Sequence, residues 1–289
     1  MFKVTTSAFQ KRLQLRNDLQ SGRLLSYPGA MAPLVAMLIE AQGFDGIYLS
    51  GAVLAAELGL PDIGLTTMTE VTQRGYQIAR TTNLPAIIDI DTGFGVSINV
   101  ARTVRELEQL GLAGCHLEDQ QLPKRCGHLD QQTLVPFAEM ERRIQAAVKA
   151  RLDPNFLIIA RTDARSVEGL AKAIERAKGY AAAGADMIFP EALRDEREFA
   201  AMRNAVEVPL LANMTEFGKS KLLSRQQLNE LGYNMVIYPV TGLRLAMKAI
   251  EDGFAHLRAE GSQQALLEAM QTRSRLYELL GYEEDYDFQ

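Results

Sequence analysis

Cysteine is scarce in this chain: Cys115 and Cys126 are the only two in 289 residues. Two thiols in so long a sequence make no disulfide framework, and a reducing compartment would keep both free. Long apolar runs are missing as well. The longest, "GAMAPLVAMLI" at 29–39, is far below the roughly 20 residues of a membrane span and contains a proline. The opening "MFKVTTSAFQKRLQLRND" lacks the apolar centre of a secretory signal, so the expected location is the cytoplasm, with no membrane partner. An excess of positive charge is also lacking, since 31 Lys+Arg stand against 36 Asp+Glu, a net charge of -5, with no basic block. That argues against a nucleic-acid partner. There is no G-x-S-x-G elbow, no H-E-x-x-H and no G-x-x-x-x-G-K-[ST] loop, which removes the serine-hydrolase, zincin and P-loop chemistries. No Pro/Gly/Ser-rich linker divides the chain, and residues 1–289 are read as a single domain.

What is present is an alternation. Short runs rich in β-branched residues lie at 24–29, 44–51, 84–91, 112–119, 155–162, 185–191, 208–214 and 234–239. Between them come segments of helical period such as "VSINVARTVRELEQLG" and "VEGLAKAIERAKGYAAAG", several ending at a glycine suited to the position after a helix. Eight such alternations predict an α/β fold, a closed parallel (β/α)8 TIM-type barrel, which typically takes about 250 residues. From about residue 240, "TGLRLAMKAIEDGFAHLRAEG" and "QQALLEAMQTRSRLYELLG" supply more helix than closure needs. This C-terminal extension is expected to pack on a partner subunit.

Barrel chemistry sits at the C-terminal ends of the strands. Those ends carry Ser50, Asp89 and Asp91, His116 and Glu118, Arg161 and Asp163, Glu191, and Asn213 followed by Thr215. Residues two apart in a strand share a face, so Asp89 with Asp91, His116 with Glu118, and Arg161 with Asp163 form same-side pairs at the barrel mouth. Carboxylates converging there call for a cation, and oxygen ligands suit Mg²⁺ or Mn²⁺. For any one pair a structural ion pair is the simpler account; six strand ends together favour a site.

The loop "EDQQLPKRCGH" follows the fourth strand and sets Cys126 between Lys124, Arg125 and His128. Such an electropositive setting lowers a thiol pKa and suits proton exchange near neutral pH. Gly127 leaves room where a substrate approaches. The bland alternative is an ordinary loop cysteine among solvated charges. Cys115, His116, Cys126 and His128 do not make a zinc site, because Cys115 and His116 point to opposite faces and the spacing matches no zinc ribbon or finger. Lys124, beside an arginine in a polar loop, is poorly placed for the desolvation that Schiff-base chemistry needs.

In order along the chain stand "YLSG", "GLPDIG", "DIDTGFG", "HLEDQ", "KRCGH", "ARTDA", "VEGL", "GADMIFPEA", "LANMTEFG", "YPV" and "MQTR". With these the sequence resembles the isocitrate lyase and phosphoenolpyruvate mutase superfamily over nearly its whole length. Within it the likeness is to members that cleave (2S,3R)-2-methylisocitrate to pyruvate and succinate, a retro-Claisen, aldol-type step of the methylcitrate cycle in propionate catabolism. The resemblance implies Mg²⁺ on Asp89 and Asp91, largely through water, with Asp62 and Glu118 nearby, and no organic cofactor. It implies that Ser50, Gly51 and Ala52 line the pyruvate end and that Cys126 is the general acid. Gly127, His128, Arg161, Glu191, Asn213, Thr215, Arg244 and Arg273 would complete the pocket for a small tricarboxylate. For the hydroxyl proton, Tyr48, a nearby carboxylate such as Glu118 and a metal-bound water stand open. The family further implies a homotetramer that swaps its last helix.

Two departures stand out. "SGAVLAAE" replaces the glycine run of many relatives, and the loop reads KRCGH where isocitrate lyases, which are longer, usually read KKCGH. Phe189 takes the place where those enzymes carry a tryptophan, leaving room for a methyl group. The rivals are isocitrate cleavage, a relative acting on oxaloacetate or phosphonopyruvate, and a non-catalytic barrel that binds a dicarboxylate.

Overall fold

A computed structural model describes residues 4–282. Eight strands run through it: β1 Leu25–Pro28, β2 Ile47–Leu49, β3 Ala86–Asp89, β4 Gly114–Glu118, β5 Leu157–Thr162, β6 Met187–Pro190, β7 Leu211–Asn213 and β8 Met235–Tyr238. Each lies inside one of the eight runs read from the sequence. The strands read as unbroken apolar stretches because both of their faces are covered, as parallel sheets require.

Every pairing is parallel. Strands β2 to β6 pair in chain order, and β8 joins β1 to β7. Bridges Gly29 to Tyr48 and Ile188 to Leu210 link the two groups and close the (β/α)8 barrel.

The helices are α1 Ala8–Gln20, α2 Pro33–Ala41, α3 Gly51–Glu57, α4 Met68–Ala79, α5 Ser97–Gln109, α6 Phe137–Ala150, α7 Ala164–Val167, α8 Leu170–Ala182, α9 Glu196–Ala205, α10 Arg225–Glu230, α11 Thr241–Glu260 and α12 Arg273–Leu280. Helix α1 closes the bottom of the barrel. Its Leu15 and Leu19 join Leu25, Tyr27, Ile87, Leu157 and Met235 in the inner core. Its cations meet carbonyls at helix ends and turns beneath the barrel: Lys11 reaches Ala79 and Thr82, Arg12 reaches Glu108 and Leu112, and Arg16 reaches Pro154, Asn155 and Phe156. With the bottom plugged, the polar strand ends face the top.

Helix α11 behaves differently, since none of its 20 residues is buried. Leu245, Met247, Ile250, Phe254 and Leu257 are all exposed along it. No helix of the described residues is long and apolar enough to cross a membrane.

Candidate active site

The acid cluster is built from strand ends and one turn. In the parallel register Asp89 lies beside His116, and Glu118 beside Arg161. Asp91 takes a positive φ of 49°, and its amide donates to Asp89 Oδ1 at 2.9 Å, so the chain folds back on the carboxylate it has just passed. The Gly51 amide donates to Asp89 Oδ2 at 3.2 Å. Burial raises the pKa of both aspartates; at Asp89 the nearby cations Lys124 and Arg161 oppose it, and at Asp91 the Asp89 charge adds to it.

Lys124 is the largest surprise. Far from standing in a solvated loop, it is 3% exposed and inserts its ammonium between Asp62 and Asp91, 2.6 Å from Asp91 Oδ1. Burial alone would lower its pKa, but Glu118, Asp91, Asp62 and Asp89 outweigh that and hold it above the ordinary value. The sequence expectation that Lys124 escapes desolvation is therefore corrected: the loop carries it down to the acids. Asp62, half-exposed, is engaged by this lysine.

Glu118 is fully buried, and neither carboxylate oxygen has a hydrogen bond; Arg161 Nε stands 3.3 Å away. Burial pushes its carboxyl well above the usual range, with Arg161 and Lys124 opposing. Orphaned buried oxygens beside two more aspartates fit a hard cation. Among the described residues no three His, Cys, Asp or Glu side chains converge closely enough to chelate an ion alone. Mg²⁺ suits such a spacing, because it keeps several waters and binds through one or two carboxylates.

The thiol loop closes over this cluster. Gln132 Nε2 gathers the carbonyls of Cys126, Gly127 and Leu129 at 3.0, 3.0 and 2.7 Å, while Gln120 ties down both backbone groups of Arg125. At Gly127 a Cβ would fall 2.4 to 2.5 Å from Glu191, Arg161 and Asp163, so only glycine lets the loop approach that closely. Cys126 is half-buried. Its pKa is raised, chiefly by burial, although the His128 amide opposes this. The expected lowering is thus reversed, because burial outweighs the charges around the thiol, and Lys124 is engaged by the carboxylates. A thiol that stays protonated is the form an acid requires. Alkylation of Cys126 by iodoacetamide should accordingly inflect above the free-thiol value of about 8.5. A thiolate already formed at pH 7 would contradict this.

On the far wall Tyr48 and His116 stack nearly parallel, with Tyr48 Oη 2.6 Å from His116 Nε2. Burial, with Arg161 next, pushes the His116 pKa down to about 3, and burial keeps the Tyr48 phenol protonated. Tyr48 therefore donates to a neutral imidazole. Phe189 meets the same imidazole edge-on at 5.3 Å and underlies the Arg161 guanidinium at 5.2 Å. The sequence placed His116 on the Glu118 face but assigned it no role; its partner Tyr48 lies on another strand, a pairing that spacing alone does not reveal.

Arg161 pairs with Asp163 at 2.9 Å and Glu191 at 3.5 Å. Burial would raise the Glu191 carboxyl, but Arg161, with His128 next, holds it below the usual range. Asn213 Nδ2 donates to Glu191, leaving its buried Oδ1 without a partner. Ser50 is buried and Ala52 partly so at the start of α3, and Thr215 is partly exposed beyond β7. Two arginines are not gathered in. Arg244 is engaged by Glu216 at 3.6 Å and by the Phe217 ring at 5.0 Å. Arg273 is exposed at the start of α12, a helix that packs on α2.

A parallel barrel with an acid cluster at the C-terminal ends of its strands and a thiol loop folded over it has the layout of a barrel enzyme's active site. The chain belongs to the phosphoenolpyruvate phosphomutase family, whose model matches residues 15–258. Among curated proteins it is 57% identical to "Probable 2-methylisocitrate lyase 1" of Corynebacterium glutamicum, over 99% of this chain and 94% of that one. It is 49% identical to the 2-methylisocitrate lyase of Halalkalibacterium halodurans, over 95% and 92%. Of solved structures, an oxaloacetate acetylhydrolase with 3,3-difluorooxalacetate superposes with a TM-score of 0.89 at 35% identity, covering 94% of each chain. A phosphonopyruvate hydrolase with oxalate and Mg²⁺ gives 0.86 at 34%, covering 94% of this chain and 95% of that one.

Proposed function

We propose that this protein is a divalent-metal-dependent carbon–carbon lyase that cleaves (2S,3R)-2-methylisocitrate to pyruvate and succinate. The observation that carries the assignment is the half-buried Cys126 thiol on a loop that packs through Gly127 on Glu191, Arg161 and Asp163 and through Lys124 on Asp91, beside the carboxylates Asp89 and Glu118. Hydrolysis of oxaloacetate to oxalate and acetate also leaves a carbanion to protonate, so the thiol supports carbon–carbon cleavage, and the similarity to relatives named 2-methylisocitrate lyase supports the choice of substrate.

Asp89 and Asp91 would hold Mg²⁺, or Mn²⁺ in its place, with Asp62 and Glu118 around it; the ion would stabilise charge on the oxygen that becomes the pyruvate carbonyl. Ser50, Gly51 and Ala52 line the end that receives the 2-hydroxy-carboxylate. Arg161 and Asn213 bind the carboxylates of the succinate half, with Glu191, His128 and Thr215 fixing their orientation. Glu118, whose ionised form Arg161, Lys124 and a bound cation would favour against the effect of burial, takes the hydroxyl proton; Tyr48, kept as a phenol bonded to His116, positions rather than abstracts. As the bond between the carbinol carbon and its neighbour breaks, the Cys126 Sγ–H delivers its proton to the carbon that becomes a succinate methylene.

Discrimination from isocitrate rests on one methyl group, worth about 1 to 3 kcal/mol, roughly 10- to 200-fold. Phe189, fully buried beneath Arg161 and His116, is the wall for it. Phe189→Trp should lower kcat/KM for 2-methylisocitrate more than for isocitrate. If the wild type cleaves isocitrate as well as its methylated analogue, the substrate assignment fails while the lyase chemistry survives.

The exposed apolar face of α11 calls for cover, and a second copy of this chain supplies it, in a tetramer that swaps its last helix. Such an exchange also gives Arg273 a route to a neighbouring site.

A further inference from the structure

The loop after β7, residues 214–224, touches the thiol loop at its histidine. The backbone N–H of Lys219 donates to His128 Nδ1 at 2.9 Å. An amide N–H offers only a proton, so Nδ1 presents its lone pair and the ring proton resides on Nε2. Nε2 lies 3.0 Å from Glu191 Oε1, and Asn213 Nδ2 lies 3.3 Å from the same oxygen. The 3.4 Å approach of Asn213 Nδ2 to His128 Nε2 is then that of two donors converging on one acceptor.

Residue 218 decides whether this contact can form. A Cβ at Gly218 would sit 2.6 Å from His128 Nδ1 and 3.0 Å from Cε1 and Cγ. The ring, its side chain 8% exposed and fixed on the other side by Glu191, has no free end to swing away. Gly218 is not among the residues with positive φ, so its lack of a side chain serves the approach to His128 and not a turn. The Lys219 side chain adds a staple, with Nζ 2.5 Å from the Leu129 carbonyl and 2.8 Å from Asp130 Oδ1. From behind, the same loop is braced by Glu216, which accepts from Thr241 and pairs with Arg244, and by Phe217 under the Arg244 guanidinium.

We propose that Gly218 and the Lys219 amide are positioning residues: they form a seat that fixes His128 as an Nε2–H donor and thereby holds the Cys126 loop shut. Its value for catalysis rests on the role given to Cys126 above. Neither does chemistry; each acts through His128.

The test is ¹⁵N NMR of full-length protein labelled at histidine, where His116, His128 and His256 are the only histidines and replacement of His256 aids assignment. At neutral pH the wild type should show His128 with a bare Nδ1 and a protonated Nε2. Gly218→Ala should lose that fixed tautomer. It should also raise the alkylation rate of Cys126 roughly tenfold, the shift expected when one net hydrogen bond holding a closed loop is lost. Fully buried Cys115 serves as the unreactive reference. Lys219→Ala, which keeps the amide, should retain the tautomer. A protonated Nδ1 on wild-type His128 overturns the proposal without recourse to any variant, as does a Gly218→Ala protein whose spectrum and alkylation rate match the wild type. Neither readout involves turnover, so failure to cleave 2-methylisocitrate would remove the functional assignment and leave the seat standing.

Discussion

Replacing Cys126 by serine should lower turnover of 2-methylisocitrate by roughly two to four orders of magnitude, the usual worth of a positioned acid. Serine is nearly isosteric, so the loop should keep its place: the ties from Gln132 and Gln120 run to backbone carbonyls and amides, not to the thiol. What changes is the acid, because a hydroxyl gives up its proton far less readily than a thiol. The loss should fall on kcat with little change in KM, since the proton moves only as the bond breaks. Stopped assays of purified variant and wild type decide it, and activity within a few-fold of wild type would remove Cys126 from the acid role.

Loss of the metal should be as severe. EDTA should abolish cleavage, and added Mg²⁺ or Mn²⁺ should restore it. Asp91→Asn should reproduce the chelated state, and asparagine is the substitution of choice because it tolerates the left-handed backbone that Asp91 adopts at φ 49°. The variant removes one charge from a cluster that keeps Lys124 paired with Asp62, so a folded protein is expected. Full activity in metal-free buffer would leave Asp89, Asp91 and Glu118 with a structural role alone.

Much of this barrel was legible in the chain. Parallel strands buried on both faces leave short apolar runs, and helices between them leave a 3.6-residue period, so all eight strands could be located from composition and spacing. Period two also aligned His116 with Glu118, and the structure joins Asp89 to His116 and Glu118 to Arg161 by register; Asp91, paired with Asp89 on the same reasoning, lies beyond the end of β3 and meets that carboxylate through a left-handed turn instead. What spacing could not show is where a long side chain goes once the chain folds. Lys124 and Arg125 are neighbours of like charge, yet one is buried against Asp62 and Asp91 and the other lies exposed. Burial, which spacing does not reveal either, raises the thiol pKa, and the cation expected beside Cys126 is committed elsewhere. The Tyr48–His116 contact and the seat of His128 on Lys219 likewise join residues 68 and 91 apart in sequence. Helix α1 shows the same limit: nothing in its spacing reveals the carbonyls beneath the barrel that Lys11, Arg12 and Arg16 reach.

Proton delivery to the succinate carbon is the step that unites the acid cluster, the closed loop and the thiol. Its most direct test is ¹H NMR of the reaction in D₂O with Mg²⁺ and 2-methylisocitrate. Pyruvate and succinate should appear in equimolar amounts, with the succinate carrying a single deuterium at one methylene. Intact 2-methylisocitrate, under conditions in which the protein consumes oxaloacetate or phosphonopyruvate, would contradict the account.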